Sequence, residues 1–114
     1  MRIDERFLMC DGGDYSIYQF GMASSLLRQR FKGHTDMVRC MQFDSSKMLS
    51  CSDDMTIRQW DMQTGRSITE YTGHRSGVNW LQYAHHHMAT CSEDTKIFIW
   101  DLRTQRVQVH QYWL

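Results

Sequence analysis

The sequence has no proline, no net charge and no long apolar segment. Thirteen acidic and thirteen basic residues cancel, so no overall positive field draws the chain to nucleic acid or to an anionic membrane. No apolar run approaches the roughly 18 residues that a membrane-spanning helix needs, and the amino-terminal MRIDERF lacks the apolar region of a signal peptide. These absences predict an intracellular protein, cytoplasmic or nuclear, that binds neither nucleic acid nor membranes.

Cysteine is scarce, and its four positions lack the spacing of a metal site. Cys10, Cys40, Cys51 and Cys91 include no C-x-x-C pair. Cys51 and Cys91 occupy the same place in two copies of a forty-residue repeat, and equivalent positions of neighbouring repeats lie too far apart for a disulfide. All four are therefore predicted to be reduced, and to be buried as small apolar side chains.

The forty-residue repeat organises most of the chain. The segments CSDDMTIRQWDMQTGR and CSEDTKIFIWDLRTQR begin forty residues apart, and the dipeptides Gly-His and Trp-Asp recur at the same offset. A fainter copy lies upstream, where Asp14, Ile17 and Phe20 precede Asp54, Ile57 and Trp60 by forty residues. A fixed period in the range of about 20–50 residues is the signature of a solenoid, a propeller or another array.

Each repeat contains short segments with the two-residue alternation of β-strands. In one copy these segments are MVRCMQF, MLSCS, TIRQW and SITEYT, and in the next they are GVNWLQY, HMATCS, KIFIW and RVQVHQY. Turn-forming Asp, Ser, Thr and Gly separate them, which predicts a four-stranded antiparallel meander for each repeat. The only helix candidate, ASSLLRQRF, aligns with QTGRSITEY and is interpreted as a turn plus a strand. The prediction is an all-β chain of eleven strands, grouped three, four and four.

The two dipeptides carry a resemblance to a known family. Gly33-His34 precedes Trp60-Asp61 by the same interval that separates Gly73-His74 from Trp100-Asp101, and this pattern resembles the WD40 repeat of β-propellers. The resemblance covers essentially the whole chain, 1–114, and weakens before Lys32. It implies a degenerate, incomplete blade over 1–32 and complete blades over 33–72 and 73–114. The short DSSK and AHHH turns and the phrase GHTDMVRCMQF are most similar to blades of F-box-type substrate receptors.

The resemblance also implies a buried polar network in each complete blade. In the WD40 family a His, a Ser, a turn Asp and a Trp are linked by hydrogen bonds that satisfy the buried imidazole and indole. The matching positions are His34, Ser52, Asp54 and Trp60 in one blade, and His74, Ser92, Asp94 and Trp100 in the next. The first blade has Gly12 and Phe20 at the Ser and Trp positions, so we expect it to be the least firmly held.

The same residue types could form a hydrolase triad, which is the alternative function. A structural role is favoured because the set recurs once per blade and no Gly-rich nucleophile elbow accompanies it. A metal site at His85, His86 and His87 is disfavoured, because successive strand residues point to opposite sides and dedicated zinc ligands come in spaced pairs. The sequence therefore predicts no enzyme activity, no cofactor and no metal.

The resemblance implies a non-catalytic scaffold that binds other proteins or peptides on one face of a propeller. The positions that match the ligand face of the family are Met37, Arg39, Asp53, Gly77, Asn79 and Glu93. Two acids and one base make this rim acidic, which favours a basic peptide; the open alternative is that these are ordinary exposed loop residues. Three blades cannot close a ring, so we expect a segment of a larger propeller or substrate-adaptor complex, or a chain that associates with itself.

Overall fold

The computed structural model describes residues 2–3 and 6–112 of the chain, and these residues form strands and turns. The twelve strands are β1 (Arg2–Ile3), β2 (Phe7–Asp11), β3 (Ile17–Gly21), β4 (Leu27–Phe31), β5 (Val38–Phe43), β6 (Lys47–Ser52), β7 (Ile57–Asp61), β8 (Ser67–Tyr71), β9 (Val78–Ala84), β10 (His87–Ser92), β11 (Lys96–Asp101) and β12 (Arg106–Tyr112). Within this part of the chain, no helix has the length and apolar character required to cross a lipid bilayer.

The strands form three antiparallel sheets of four strands, and in each sheet the strands pair in sequence order. The first sheet contains β1–β4, the second β5–β8 and the third β9–β12. This arrangement confirms the predicted all-β fold of consecutive propeller-type blades, and β4 confirms the turn-plus-strand interpretation of ASSLLRQRF.

The predicted count of eleven strands is wrong, because a short strand precedes the expected beginning of the first sheet. Arg2 and Ile3 pair with Met9 and Leu8 of β2. This innermost strand has two residues, whereas its equivalents in the second and third sheets have six and seven. The stretch was too short to show an alternating pattern, and the first blade is incomplete because its innermost strand spans only two described residues.

The turns repeat with the same forty-residue period as the strands. Left-handed backbone angles recur at Tyr15, Met55 and Thr95 (φ 68°, 73° and 67°) and again at Ser25, Gly65 and Gln105 (φ 58°, 74° and 62°). Only one of these six positions is glycine, although left-handed geometry is costly for the other residue types. Equivalent turns of the three sheets therefore have the same backbone conformation even though their side chains differ.

The apolar core lies between the sheets. Met9, Ile17 and Phe31 of the first sheet pack against Val38, Met41, Met48, Trp60 and Met62 of the second. Leu49, Cys51, Ile57 and Tyr71 on the other face of the second sheet pack against Val78, Leu81, Met88, Phe98 and Trp100 of the third. A single sheet cannot bury its apolar faces by itself and does so by packing against the next sheet. This explains why the four-stranded unit is repeated along the chain.

All four cysteines have free thiols, but the expectation that all are buried is wrong. Cys51 is fully buried in the core between the second and third sheets. Cys10, Cys40 and Cys91 are partly exposed. The alternation of apolar and polar residues correctly predicted that these cysteines lie in strands. It does not show whether a neighbouring sheet covers the face of the sheet on which each cysteine lies.

A side-chain amide joins the second sheet to the backbone of the third. Gln42 Nε2 donates to the carbonyl oxygen of Tyr83 at 3.0 Å, and Gln42 Oε1 accepts from the Tyr83 amide at 2.9 Å. This pair of hydrogen bonds fixes how the two sheets align along their innermost strands. Gln82 holds the equivalent position in the third sheet, where it is exposed beside Trp80, which is 45% exposed.

Candidate functional site

A chain of hydrogen bonds runs through the second sheet from an indole to a carboxylate. Trp60 Nε1 donates to Ser50 Oγ at 2.8 Å, Ser50 Oγ lies 2.7 Å from His34 Nε2, and His34 Nδ1 lies 2.9 Å from Asp54 Oδ2. An indole can only donate and a carboxylate only accepts. In the tautomer with its proton on Nδ1, His34 donates from Nδ1 to Asp54 and accepts at Nε2 from the Ser50 hydroxyl.

The third sheet contains the same chain with threonine in place of serine. Trp100 Nε1 donates to Thr90 Oγ1 at 2.9 Å, and Thr90 Oγ1 lies 2.8 Å from His74 Nε2. His74 Nδ1 lies 3.0 Å from Asp94 Oδ2. Burial lowers the pKa of His74 despite the opposing effect of Asp94, which favours the neutral ring that donates from Nδ1 to Asp94 and accepts at Nε2 from Thr90.

The hydroxyl groups of the network are those of Ser50 and Thr90, so the prediction of Ser52 and Ser92 is wrong. Trp60 lies opposite Met48 in the strand ladder, and its indole reaches the diagonal neighbour Ser50 on the same face. Ser52 lies one step further, at the end of β6. Its hydroxyl there donates to the carbonyl oxygen of Asp36 and accepts from the amide of Asp54, both at 3.1 Å.

A sequence signal for the correct hydroxyl was present. Ser50 and Thr90 are polar residues in the middle of β6 and β10, and they lie forty residues apart. Cys10 holds this position in the first sheet, and Phe20 holds that of the tryptophan. Asp14 of that sheet accepts instead from Tyr18 Oη at 2.6 Å and from Arg30 Nη2 at 2.9 Å, both at the surface.

The turns in front of the network carry the predicted ligand-face residues. Arg39 donates from Nε and Nη2 to the two carboxylate oxygens of Asp53, at 2.8 and 2.6 Å. The strand register shifts between Val38 and Cys40, so Arg39 is the extra residue of a bulge. The same shift in the third sheet makes Asn79 an extra residue. Bulges re-aim side chains near sheet ends, and here they direct both residues outward.

The second and third sheets meet at this face. A Cβ atom on Gly77 would lie 2.9 Å from Asp53 Oδ1, so no larger residue fits there without displacement of the carboxylate. The Asp53 amide donates to the carbonyl oxygen of Met37 at 2.8 Å, and the Glu93 amide donates to that of Gly77 at 3.2 Å. The structure thus brings Arg39, Asp53 and Gly77 into direct contact.

The remaining predicted residues flank this contact as exposed side chains. Met37 is 48% exposed, and Asn79 and Glu93 are exposed as well. One acidic residue of the same face was missed by the sequence reasoning, Asp36, whose carboxylate caps the Met37 amide at 2.8 Å. Asp36 lies before the strand residues that were matched to the ligand face of the WD40 family, so it corresponded to none of the predicted positions.

The face carries an excess of negative charge. The hydrogen bonds to Asp53, followed by the charges of Asp53, Glu93 and Asp36, raise the pKa of Arg39. The same hydrogen bonds lower the pKa of Asp53. Three carboxylates and one guanidinium leave two net negative charges around Arg39. We name this cluster, Asp36, Arg39, Asp53 and Glu93, the acidic face.

The network predicts a loss of stability in acid. Burial alone would raise the pKa of Asp54, but hydrogen bonds from His34, Thr56 and the Thr35 amide outweigh it and hold this pKa well below its usual value. An unfolded Asp titrates near about 3.9, so the stabilisation is complete above about pH 4 and is lost as the pH falls further. We expect the free energy of unfolding in urea to drop below about pH 4.

The matched variants for this prediction are Asp54→Asn and Asp11→Asn. Asp54→Asn should be less stable at pH 7 and should show a flatter acid limb than the unchanged chain. Asp11 is an exposed carboxylate at the end of β2, so its amide variant should keep the full acid limb. An acid limb of equal slope in Asp54→Asn and in the unchanged chain would contradict the assignment.

Comparison with known proteins identifies the repeat. A family model described as "WD domain, G-beta repeat" matches residues 25–61 and 65–101. No curated protein matches the sequence. A solved structure titled "Structure of U3-55K" aligns with a TM-score of 0.88 and 21% sequence identity, over 96% of this chain and 37% of that one. The chain therefore spans little more than a third of that protein, and at this identity the likeness shows the fold alone.

Proposed function

The chain belongs to the WD40-repeat family, and on this premise we propose that it is a non-catalytic scaffold that binds other proteins or peptides at its acidic face. The observation that carries the proposal is the cluster at the seam of the second and third sheets, where three carboxylates surround Arg39. Polar groups concentrated in turns on a rigid β-scaffold are a common arrangement of binding surfaces.

A basic peptide is the ligand that suits the charge of this face. Arg39 is already paired with Asp53 through two hydrogen bonds, which leaves Glu93 and Asp36 as the carboxylates open to a peptide Arg or Lys. Phosphate groups are usually held by clustered Arg side chains, and an anionic ligand would here meet a net negative surface. Complementary charge supports specificity and fast association.

The geometry disfavours the alternative of a hydrolase. A nucleophile must reach a substrate, but Ser50, the serine bonded to the histidine, is fully buried. Ser52 is bonded to the backbone of Asp36 and Asp54. The same buried chain of groups occurs in the second and third sheets, which supports a structural role in both.

We propose that the open face of the third sheet packs against a further sheet of the same kind. The exposed Gln82 repeats the position from which Gln42 binds the backbone of the next sheet, and the exposed Trp80 provides apolar area beside it. Three sheets cannot close a ring, since propellers usually have four to eight blades. The further sheet comes either from a longer chain or from a second copy.

We expect this chain on its own to self-associate through that face. Trp80→Asp should shift the solution mass measured by light scattering toward the monomer, because a charge there opposes packing. Ile68→Asp is the matched control: Ile68 is 57% exposed but lies on the outermost strand of the second sheet, so the mass should not change. A monodisperse monomer that binds no hydrophobic dye would contradict the proposal.

We also propose an intracellular location. Four free thiols, three of them partly exposed, suit a compartment in which thiols are kept reduced. Kinship with the F-box-type substrate receptors stays a prediction that rests on the DSSK and AHHH turns and the GHTDMVRCMQF phrase.

A further inference from the structure

Two cysteines face each other across adjacent strands of the second sheet. Cys40 of β5 and Cys51 of β6 are register partners. Residues directly opposite each other in an antiparallel pair have Cα atoms about 4.5–5.5 Å apart, which lies within the separation of about 4.4–6.8 Å found in disulfides. The register therefore places the two residues where a disulfide is possible, and both side chains belong to the core between the second and third sheets.

The two thiols differ in access to solvent. Cys51 is fully buried in the core between the second and third sheets. Cys40 is partly exposed, and its Sγ lies 3.6 Å from the carbonyl oxygen of Leu81 in the third sheet. A small oxidant arriving from solvent meets Cys40 first, and Cys51 is the thiol next to it.

The difference in acidity between the thiols agrees with this order. The hydrogen bond with Cys51 lowers the pKa of Cys40 to about 6. That bond and then burial raise the pKa of Cys51. Because the thiolate is the reactive form of cysteine, the directions of the two shifts favour Cys40, the partly exposed thiol, as the nucleophile.

We propose that Cys40 and Cys51 form a peroxide-sensitive dithiol that closes to a cross-strand disulfide. The Cys40 thiolate attacks hydrogen peroxide, so that an S–O bond forms, the O–O bond breaks, and sulfenic acid and hydroxide result. Cys51 sulfur then attacks Cys40 sulfur; the S–S bond forms, the S–O bond breaks, and water leaves. In total the two thiols lose two electrons and two protons, and one peroxide is reduced to two waters.

The disulfide would change the seam between the sheets. The Cys40 sulfur that takes part in the bond lies 3.6 Å from the carbonyl oxygen of Leu81 in the third sheet. The bond also ties β5 to β6 immediately beside the bulge at Arg39. The oxidised chain therefore gains a covalent link within the second sheet, at its seam with the third.

The chain supplies its own control cysteines. Cys91 holds the position of Cys51 in the third sheet, but its partner across the strands is Trp80. Cys10 of β2 lies opposite Tyr18. Both thiols are partly exposed and open to oxidation, yet neither has a cysteine opposite it.

The test is peptide mapping of the full chain after peroxide treatment. The reduced protein is exposed to hydrogen peroxide at neutral pH, its remaining thiols are alkylated, and it is digested with trypsin without reduction. Cleavage after Arg39, Lys47 and Arg58 places the two cysteines in separate peptides, 40–47 and 48–58. Mass spectrometry should find these peptides joined as the main disulfide product, in the unchanged chain and in Cys91→Ser alike.

A second variant separates the two chemical steps. In Cys51→Ala no joined peptide can form, and the sulfenic acid at Cys40 should be captured by dimedone at a higher level than in the unchanged chain. The proposal is overturned if the unchanged chain yields no joined 40–47 and 48–58 peptides. It is also overturned if Cys10 and Cys91 are oxidised as fast as Cys40. Both of these readouts use the unchanged chain and do not depend on how well the variant folds.

Discussion

Trp60→Ala is expected to lower the free energy of unfolding by about 3–5 kcal/mol, the range found when a large buried aromatic residue is truncated. Trp60 is fully buried in the core between the first and second sheets. Its ring meets the edge of Phe31 at a centroid distance of 5.7 Å, and its N–H group donates to Ser50. The variant would leave a cavity and would remove a donor from the buried network.

Two further variants divide this effect into its parts. Trp60→Phe keeps an aromatic ring but removes the N–H group, and should cost about 1–3 kcal/mol. Phe20→Ala is the matched control, since Phe20 holds the equivalent position in the first sheet, where it is partly exposed and has no network behind it. Urea titrations measure all three. Equal losses for Trp60→Ala and Phe20→Ala would contradict the role given to the network.

Asp53→Lys combined with Glu93→Lys is expected to abolish the binding of a basic peptide. The substitutions change the charge of the acidic face from −2 to +2, because Asp36 and Arg39 then cancel and two lysines remain. The fold should survive, since the Arg39–Asp53 pair lies at the surface, where such pairs contribute about 0–1 kcal/mol. Fluorescence anisotropy with an Arg/Lys-rich peptide measures the binding, and a circular-dichroism melt measures the stability of the fold.

The control for this charge reversal is Glu70→Lys. Glu70 is an exposed carboxylate on the outermost strand of the second sheet, 3.7 Å from Arg58, and its reversal should leave peptide affinity nearly unchanged. Binding to the acidic face should also weaken as salt is added. Binding that survives the double reversal would show that the face, or the sign of its ligand, is wrong.

The fold could be predicted from the sequence because its main signals are periodic. The forty-residue offset and the two-residue alternation define the meanders, and both depend on local chain geometry and on repeated burial. The same reasoning failed for Arg2–Ile3, which is too short to show a pattern. It also failed for the burial of Cys40 and Cys91, which depends on the neighbour that covers each face.

The proximity of three candidate residues could be predicted from the sequence, but the detail of their contacts could not. A match by family position placed Arg39, Asp53 and Gly77 on one face, and the structure brings them into contact. The network hydroxyl was assigned two residues too far along the strand, because the diagonal reach of the indole depends on strand register. The bulge at Arg39 and its ion pair likewise depend on how β5 pairs with β6. A single sequence does not reveal this strand register.

The central claim is that the acidic face binds basic peptides, and titration of the ¹⁵N-labelled chain with an Arg/Lys-rich peptide, followed by NMR, tests it most directly. The account predicts that the amide signals that shift cluster at Asp36, Met37, Arg39, Asp53, Gly77, Asn79 and Glu93, and that they stay in place in the Asp53→Lys, Glu93→Lys variant. Shifts centred on the first sheet, or no shifts at saturating peptide, would contradict it.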